Sequence, residues 1–270
     1  MSDSVQSGRP RLDGKVAIVT GAGSRGPGLG NGKATAILFA REGAKVFCVD
    51  QMKERAEETV AAIRAENGEA VAHAADVTRA AECAAMVKAA VDRWGGVDIL
   101  HNNVGIESRK GLLDTTEEEW DRVIAVDLKS MFLATQATVP AMARRGGGAV
   151  ICVSSIAGLR GYGRTAYATA KAGVIGFVRS VAVQLGPKGI RVNAIAPGPV
   201  WTPMVEDLGS AARERRRRAS PLGTEGTGWD IGWGAVYLAS DEARWVTGQT
   251  LIIDAGLTVT TPESSLGSTP

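Results

Sequence analysis

Two patterns of apolar residues alternate along the chain. Short unbroken apolar runs are followed by longer stretches in which apolar residues return every three or four positions. Runs of the first kind predict strands buried on both faces. The second kind predicts helices that lay one stripe against a core. Strands are expected at Lys15 to Thr20, Lys45 to Asp50, Ala70 to Ala74, Val97 to Asn102, Val150 to Val153, Ile190 to Ile195 and Thr250 to Asp254. Between them, helices are expected up to Arg41, over Lys53 to Asn67 (closed by Gly68), Ala80 to Trp94, Glu117 to Arg144, around Tyr167, and over Asp230 to Ser240. Strict strand–helix alternation calls for right-handed crossovers and a parallel sheet covered on both faces. The predicted class is α/β, a doubly wound sheet in a single domain over residues 12–257. Residues 1–11 read as a flexible arm, and the Ser/Thr/Pro-rich stretch from 258 to 270 as a flexible tail.

Composition narrows the function more than the fold. The 270 residues carry a formal net charge of +2, so no overall field points to nucleic acid. With 44% hydrophobic residues the core can be large, yet no apolar run approaches the length of a membrane span. Cys48, Cys83 and Cys152 have neither paired nor metal-like spacing, which fits a reduced, cytoplasmic protein with no metal site. The first residues, MSDSVQSGRPRLDG, lack the apolar core of a signal peptide.

Two stretches carry candidate chemistry. Thr20 to Ala36, TGAGSRGPGLGNGKATA, lies between the first strand and the first helix. Glycines there let backbone approach a pyrophosphate, and the helix start offers free N–H groups and the positive end of a dipole. Candidate phosphate contacts are Gly21, Ser24, Arg25, Gly28, Asn31 and Gly32. Asp50, twenty residues after Gly30, ends the second strand where a carboxylate can accept from both ribose hydroxyls. Its charge would repel a 2′-phosphate, which favours NAD over NADP. Arg25, Lys33 and Lys53 are the basic residues that could reverse that preference.

The second stretch runs from Val150 to Gly176, VICVSSIAGLRGYGRTAYATAKAGVIG. Tyr167 and Lys171 are four apart and share a helix face. A nearby cation favours phenolate over phenol, typically by about 1–3 pKa units. A tyrosine so tuned can exchange a proton with an alcohol or carbonyl while a serine hydroxyl holds the same oxygen.

Strand, Ser154-Ser155, Tyr167, Lys171 and the following Ala-Gly together resemble the active-site segment of the short-chain dehydrogenase/reductase family, and the resemblance extends over residues 12 to 257. It implies a Rossmann-like fold and hydride transfer between a nicotinamide cofactor and an alcohol or ketone. Catalytic roles are implied for Ser155, Tyr167 and Lys171. Asp76-Val77 resembles the family's adenine-contacting pair, and Asn103 and Gly105 lie in the counterpart of its Asn-Asn-Ala-Gly motif. Pro197, Gly198, Val200 and Thr202 match the turn that closes over the nicotinamide. A homotetramer is implied by the same resemblance.

Two departures stand out. Five extra residues widen the glycine loop between Gly21 and Gly30. Asp127 occupies a position where the family normally has Asn, which supports a water beside the lysine. Asp127 can hold the same water and pair with Lys171, or serve only as a hydrogen-bonding residue at a helix kink. His101 ends a buried strand without a matching carboxylate and reads as structural. Beyond Trp201 the chain resembles a substrate lid: Trp201, Met204, Val205 and Leu208 suggest an apolar or ring-bearing substrate. The cluster from Arg213 to Arg218 is either a solvated helix face or a means of capturing an acidic substrate. The expected function is that of an NAD(H)-dependent oxidoreductase acting on a secondary alcohol or ketone. The alternatives are an NADP(H)-dependent ketoreductase and an inert dinucleotide-binding scaffold.

Overall fold

The computed structural model describes residues 10–26 and 28–261. Seven strands form one parallel sheet in the order β3-β2-β1-β4-β5-β6-β7. They are β1 (Val16–Thr20), β2 (Lys45–Asp50), β3 (Ala70–Ala74), β4 (Ile99–Asn102), β5 (Gly148–Val153), β6 (Ile190–Pro197) and β7 (Thr250–Ile253). The sheet is the doubly wound, Rossmann-like one that the alternation predicts. Every residue of β1 and nearly every residue of β5 is buried, as expected of central strands roofed on both sides.

Two apolar cores lie on opposite faces of the sheet. On one face, helices α1 (Asn31–Arg41), α2 (Lys53–Ala65) and α8 (Gly228–Ala239) bury Phe39, Leu38, Ile63 and Ile231. On the other, α3 (Ala80–Trp94), α5 (Ser130–Arg144) and α6 (Thr165–Leu185) bury Met86, Met131, Met142 and Val178. Burying each such side chain fully stabilises the fold by about 1.5–3 kcal/mol. The remaining helices are α4 (Glu117–Ile124) and α7 (Gly209–Arg218).

Local boundaries follow side-chain chemistry. Thr116 caps α4 by accepting from the Glu119 N–H, and Thr227 and Asp230 form a reciprocal capping box on α8. The second helix stops earlier than the pattern indicates. Asn67 takes the left-handed conformation (φ 64°) that ends it, leaving Gly68 beyond the turn. The long helix expected from 117 to 144 is interrupted: Ala125–Lys129 form a π-helical turn between α4 and α5.

Of the expected arm and tail, residues 1–9 and 262–270 lie outside the described residues. At their inner ends Arg11 is ion-paired to Glu242 and the Thr258 N–H donates to Asp254. No described helix is long and apolar enough to cross a membrane, and the described residues hold no cluster of metal-binding side chains.

His101 is fully buried in β4, edge-on to Phe39 at 6.0 Å, and neither ring nitrogen has a partner among the described residues. Burial pushes its pKa down from 6.5 to about 3, so the folded chain keeps the ring neutral. The unfolded chain protonates it below about pH 6.5, and therefore binds more protons than the folded chain there. Stability must fall as pH drops through that value. Chemical denaturation at pH 8 and pH 5 should show a loss of about 2 kcal/mol that His101→Leu removes. Identical pH dependence in the two proteins would contradict this account.

Candidate active site

The chain leaves the carboxyl ends of β1 and β4 toward opposite faces of the sheet, which opens a crevice between them where the strand order reverses. A cleft of about 730 Å³ opens at this edge. It is lined at one end by the glycine loop and Asp50, and at the other by Ser155, Tyr167 and Lys171.

At the cofactor end, α1 begins at Asn31 with no side chain capping its first amides. Backbone approach is very close there. A Cβ on Gly32 would stand 2.0 Å from the Gly21 carbonyl oxygen, so only glycine fits. The Ser24 Oγ and Asn31 Oδ1 are buried and unpartnered among the described residues. Open helix amides beside an orphaned hydroxyl donor suit a phosphate group. Asp50 accepts from the Gly23 N–H at 3.2 Å and the Met52 N–H at 3.0 Å, which fixes its carboxylate at the rim. These residues fit a nicotinamide dinucleotide.

The inserted residues of this loop divide between two tasks. Arg25 crosses the cleft and donates to the Gly105 carbonyl at 2.9 Å. Gly28, expected among the phosphate contacts, does not line the cleft. The widened loop carries it outward at φ 120° until it faces Pro203, whose ring would lie 3.4 Å from an added Cβ. Lys33 and Lys53 are likewise committed elsewhere, to Glu58 and Glu57. Arg55, on the first turn of α2, is the basic residue that lines the cleft beside Asp50, and the sequence pattern did not single it out. Asp76, Val77, Asn103 and Gly105 line the cleft, with Asn103 donating to the Gly21 carbonyl at 3.1 Å.

At the other end β5 hands over to a single 3₁₀ turn, Ile156–Gly158, that packs against α6. The packing is tight: a Cβ on Gly158 would meet the Lys171 carbonyl carbon at 2.6 Å. Ser154 fixes the same approach by donating to the Lys171 carbonyl at 2.7 Å. Ser155 therefore faces the cleft alongside Tyr167, its Oγ accepting from the Ala157 N–H at 3.1 Å.

Lys171 is buried, with Nζ 5.6 Å from the Tyr167 ring centre and donating to the Val153 carbonyl at 3.1 Å. Asp127 reaches it from the π-helical turn, with Oδ2 3.1 Å from Nζ, while Oδ1 accepts from the Ile106 N–H at 2.8 Å. The contact is an ion pair rather than an aligned hydrogen bond, because Oδ2 meets no donor at hydrogen-bonding angles. Burial works against the lysine's charge, but the charge of Asp127, helped by Tyr167, outweighs it and holds the pKa above its ordinary value. Both readings of Asp127 thus have a counterpart in the fold: it pairs with Lys171 and it ties a helix irregularity to a loop.

Pro197, Gly198, Val200 and Thr202 complete the wall, and Met204, Val205 and Leu208 cover it. Trp201 does not join them. It turns outward and takes Arg213 over its ring at 4.4 Å. The arginine cluster also splits. Arg213 pairs with Glu225, and Arg217 and Arg218 pair with Glu214, on an exposed face. Arg215 and Arg216 line the cleft instead. So does Arg164, directly before α6, a residue without a motif to mark it.

A family model described as enoyl-(acyl carrier protein) reductase matches residues 28–258. A 3-oxoacyl-[acyl-carrier-protein] reductase, FabG of Thermotoga maritima, is 42% identical over 250 residues, 92% of this chain and 100% of its own. The 2,5-dichloro-2,5-cyclohexadiene-1,4-diol dehydrogenase LinX of Sphingobium indicum is 38% identical over 92% of this chain and 98% of its own. Among solved structures, a Burkholderia xenovorans protein classed with the short-chain dehydrogenases/reductases superposes with a TM-score of 0.89 at 41% identity, covering 93% of this chain and 99% of that one. A 7α-hydroxysteroid dehydrogenase complexed with NADH and 7-oxo glycochenodeoxycholic acid gives 0.86 at 36% identity over 92% of this chain and 96% of that one. With sequence, fold and cleft in agreement, the chain belongs to the short-chain dehydrogenase/reductase family of oxidoreductases, which bind a nicotinamide dinucleotide.

Proposed function

We propose that this protein is an NAD(H)-dependent dehydrogenase/ketoreductase acting on a secondary alcohol or ketone with an apolar or ring-bearing body. The observation that carries this reading is the meeting of Ser155, Tyr167 and Lys171 in the cleft whose other end holds Asp50. A bound nicotinamide supplies or receives the hydride. Ser155 donates its hydroxyl to the substrate oxygen. Tyr167 gives its Oη proton to that oxygen on reduction and takes it back on oxidation. Lys171 keeps a positive charge beside the phenol and offers its remaining N–H to the nicotinamide ribose. Removing the general acid–base should cost about 10²–10⁴-fold in turnover. NADH-linked assays over a panel of secondary alcohols and ketones should show that loss in Tyr167→Phe. Near-full turnover in the variant would refute the mechanism.

Cofactor choice rests on the charge of Asp50 at the ribose end. A related hydroxysteroid dehydrogenase was solved with NADH, which supports the same preference. Arg55 is the cation placed to serve a 2′-phosphate once Asp50 no longer repels it. Fluorescence titration should show NADH binding more tightly than NADPH in the wild type, and Asp50→Ala should narrow or reverse that order. An NADPH preference in the wild type would make the NADP(H)-dependent reading the better one.

Asp127 is expected to hold the lysine in its charged form. Its negative charge is what outweighs burial and keeps the Lys171 pKa raised. Asp127→Asn removes that counter-charge and leaves burial to act on the lysine alone. The fall of kcat/KM on the alkaline side, where the lysine loses its proton, should then move to lower pH, by on the order of one unit. An unmoved kcat/KM profile would leave Asp127 a structural role alone.

The reading includes a homotetramer, which Trp120 and Phe132 on α4 and α5, and Trp233, Trp245 and Ile252 near β7, support as exposed apolar side chains. Light scattering should give four times the chain mass of 28.1 kDa. A cytoplasmic setting agrees with three buried, unpaired cysteines.

A further inference from the structure

The substrate end of the cleft holds more positive charge than alcohol–ketone chemistry requires. Arg164, Arg215 and Arg216 line it, against Glu107 as the acid on the same side. Arg216 is only 19% exposed. Its Nη2 donates to the Val200 carbonyl at 3.0 Å, and its Nε stands 3.8 Å from Glu225. Its Nη1 is buried and has no partner among the described residues. Glu225 meets Arg213 through Oε2 at 2.6 Å, and its Oε1, the oxygen facing Arg216, has no hydrogen-bond partner among the described residues.

Arg164 lies close by. It is paired with Glu107 and lies over the Tyr162 ring at 4.9 Å. Burial and the like charge of Arg216 press its pKa below the ordinary value, against the opposing pull of Tyr167. Arg164 is therefore within electrostatic reach of both the second arginine and the catalytic phenol. Of the other arginines of the α7 cluster, 213, 217 and 218 are each paired with an acid, and only Arg216 has a buried guanidinium nitrogen without a hydrogen-bond partner among the described residues.

A buried guanidinium N–H without an acceptor is costly, and a planar two-oxygen anion is the group that matches its fork. We propose that Arg216, with Arg164 beside it, forms an anion subsite, and that the substrate is an amphiphilic keto or hydroxy acid whose carboxylate docks there. Its apolar body would lie against Ile106, Met204, Val205 and Leu208, which line the same cleft. This rests on the oxidoreductase reading above and narrows it from any secondary alcohol or ketone to one bearing a carboxylate.

The test uses ternary complexes in which no hydride can move. Protein saturated with NAD⁺ is titrated by calorimetry with the ketones 4-oxopentanoate, 6-oxoheptanoate and 4-acetylbenzoate, and with the methyl ester of each. At least one acid should bind about 10–100-fold more tightly than its ester, the range expected of hydrogen bonds to a charged group. Arg216→Gln should bring that ratio close to one, and Arg216→Lys should keep part of it. Arg217→Gln, on the exposed face of the same helix, should keep it all, and NADH fluorescence checks that each variant is folded. Equal affinity of acid and ester for all three pairs in the wild type would overturn the proposal. So would an acid preference that survives Arg216→Gln. Because ketone and NAD⁺ cannot react, this outcome stands apart from turnover. If no alcohol or ketone is ever oxidised or reduced, the oxidoreductase reading fails while the subsite result keeps its meaning.

Discussion

Two opposite charges buried side by side hold the catalytic end of the molecule in register. Lys171 on α6 meets Asp127 from the π-helical turn, and each also makes one hydrogen bond to backbone: Val153 at the end of β5, Ile106 after β4. Four separate segments are tied at one point. Taking two ions out of water is expensive, and the arrangement is tolerable only because each compensates the other. Loss of one partner alone would strand a charge with no access to solvent, a cost of about 3–5 kcal/mol. Tyr167 and Ser155 inherit their positions from this anchor, since one rides on the same helix and the other on the turn clamped against it.

The dinucleotide end relies on a different device. Little charge is buried there; instead backbone is brought so close to backbone that only glycine fits, and amides are left open at the start of α1. One end of the cleft is thus fixed by electrostatics and the other by shape. The widened loop extends the second end toward the first, because Arg25 reaches the Gly105 carbonyl and Gly28 faces Pro203 at the base of the lid.

Much of this was legible from the residues. Parallel strands covered on both sides must be continuously apolar, so β1, β2 and β5 announce themselves, and Tyr167 and Lys171 reveal a shared face by their spacing alone. What stayed hidden has physical reasons. Periodicity measures which face is apolar, and it carries no mark of the one residue that turns α into π, so 117–144 reads as a single helix. Asn67 ends α2 by adopting a conformation more usual for glycine, and a glycine directly follows it. The arginines of α7 look alike in sequence; only the fold sets Arg215 and Arg216 along the cleft and pairs Arg213, Arg217 and Arg218 with acids. Arg55 and Arg164 enter the site through helix starts, where no pattern of neighbours distinguishes them.

The wide turn at Ala125–Lys129 amounts to one residue more than an α-helix would use. Because the wide turn absorbs that extra residue, the apolar faces of α4 and α5 stay in phase across it. Taking one of the five away would restore a plain α-helix and leave Trp120, Val123 and Met131 on the faces they now occupy. The loss would be local: the backbone would no longer widen at Asp127, where its carboxylate meets the lysine. The irregularity is slack let out at one point of a rod, and the active site is built at that point.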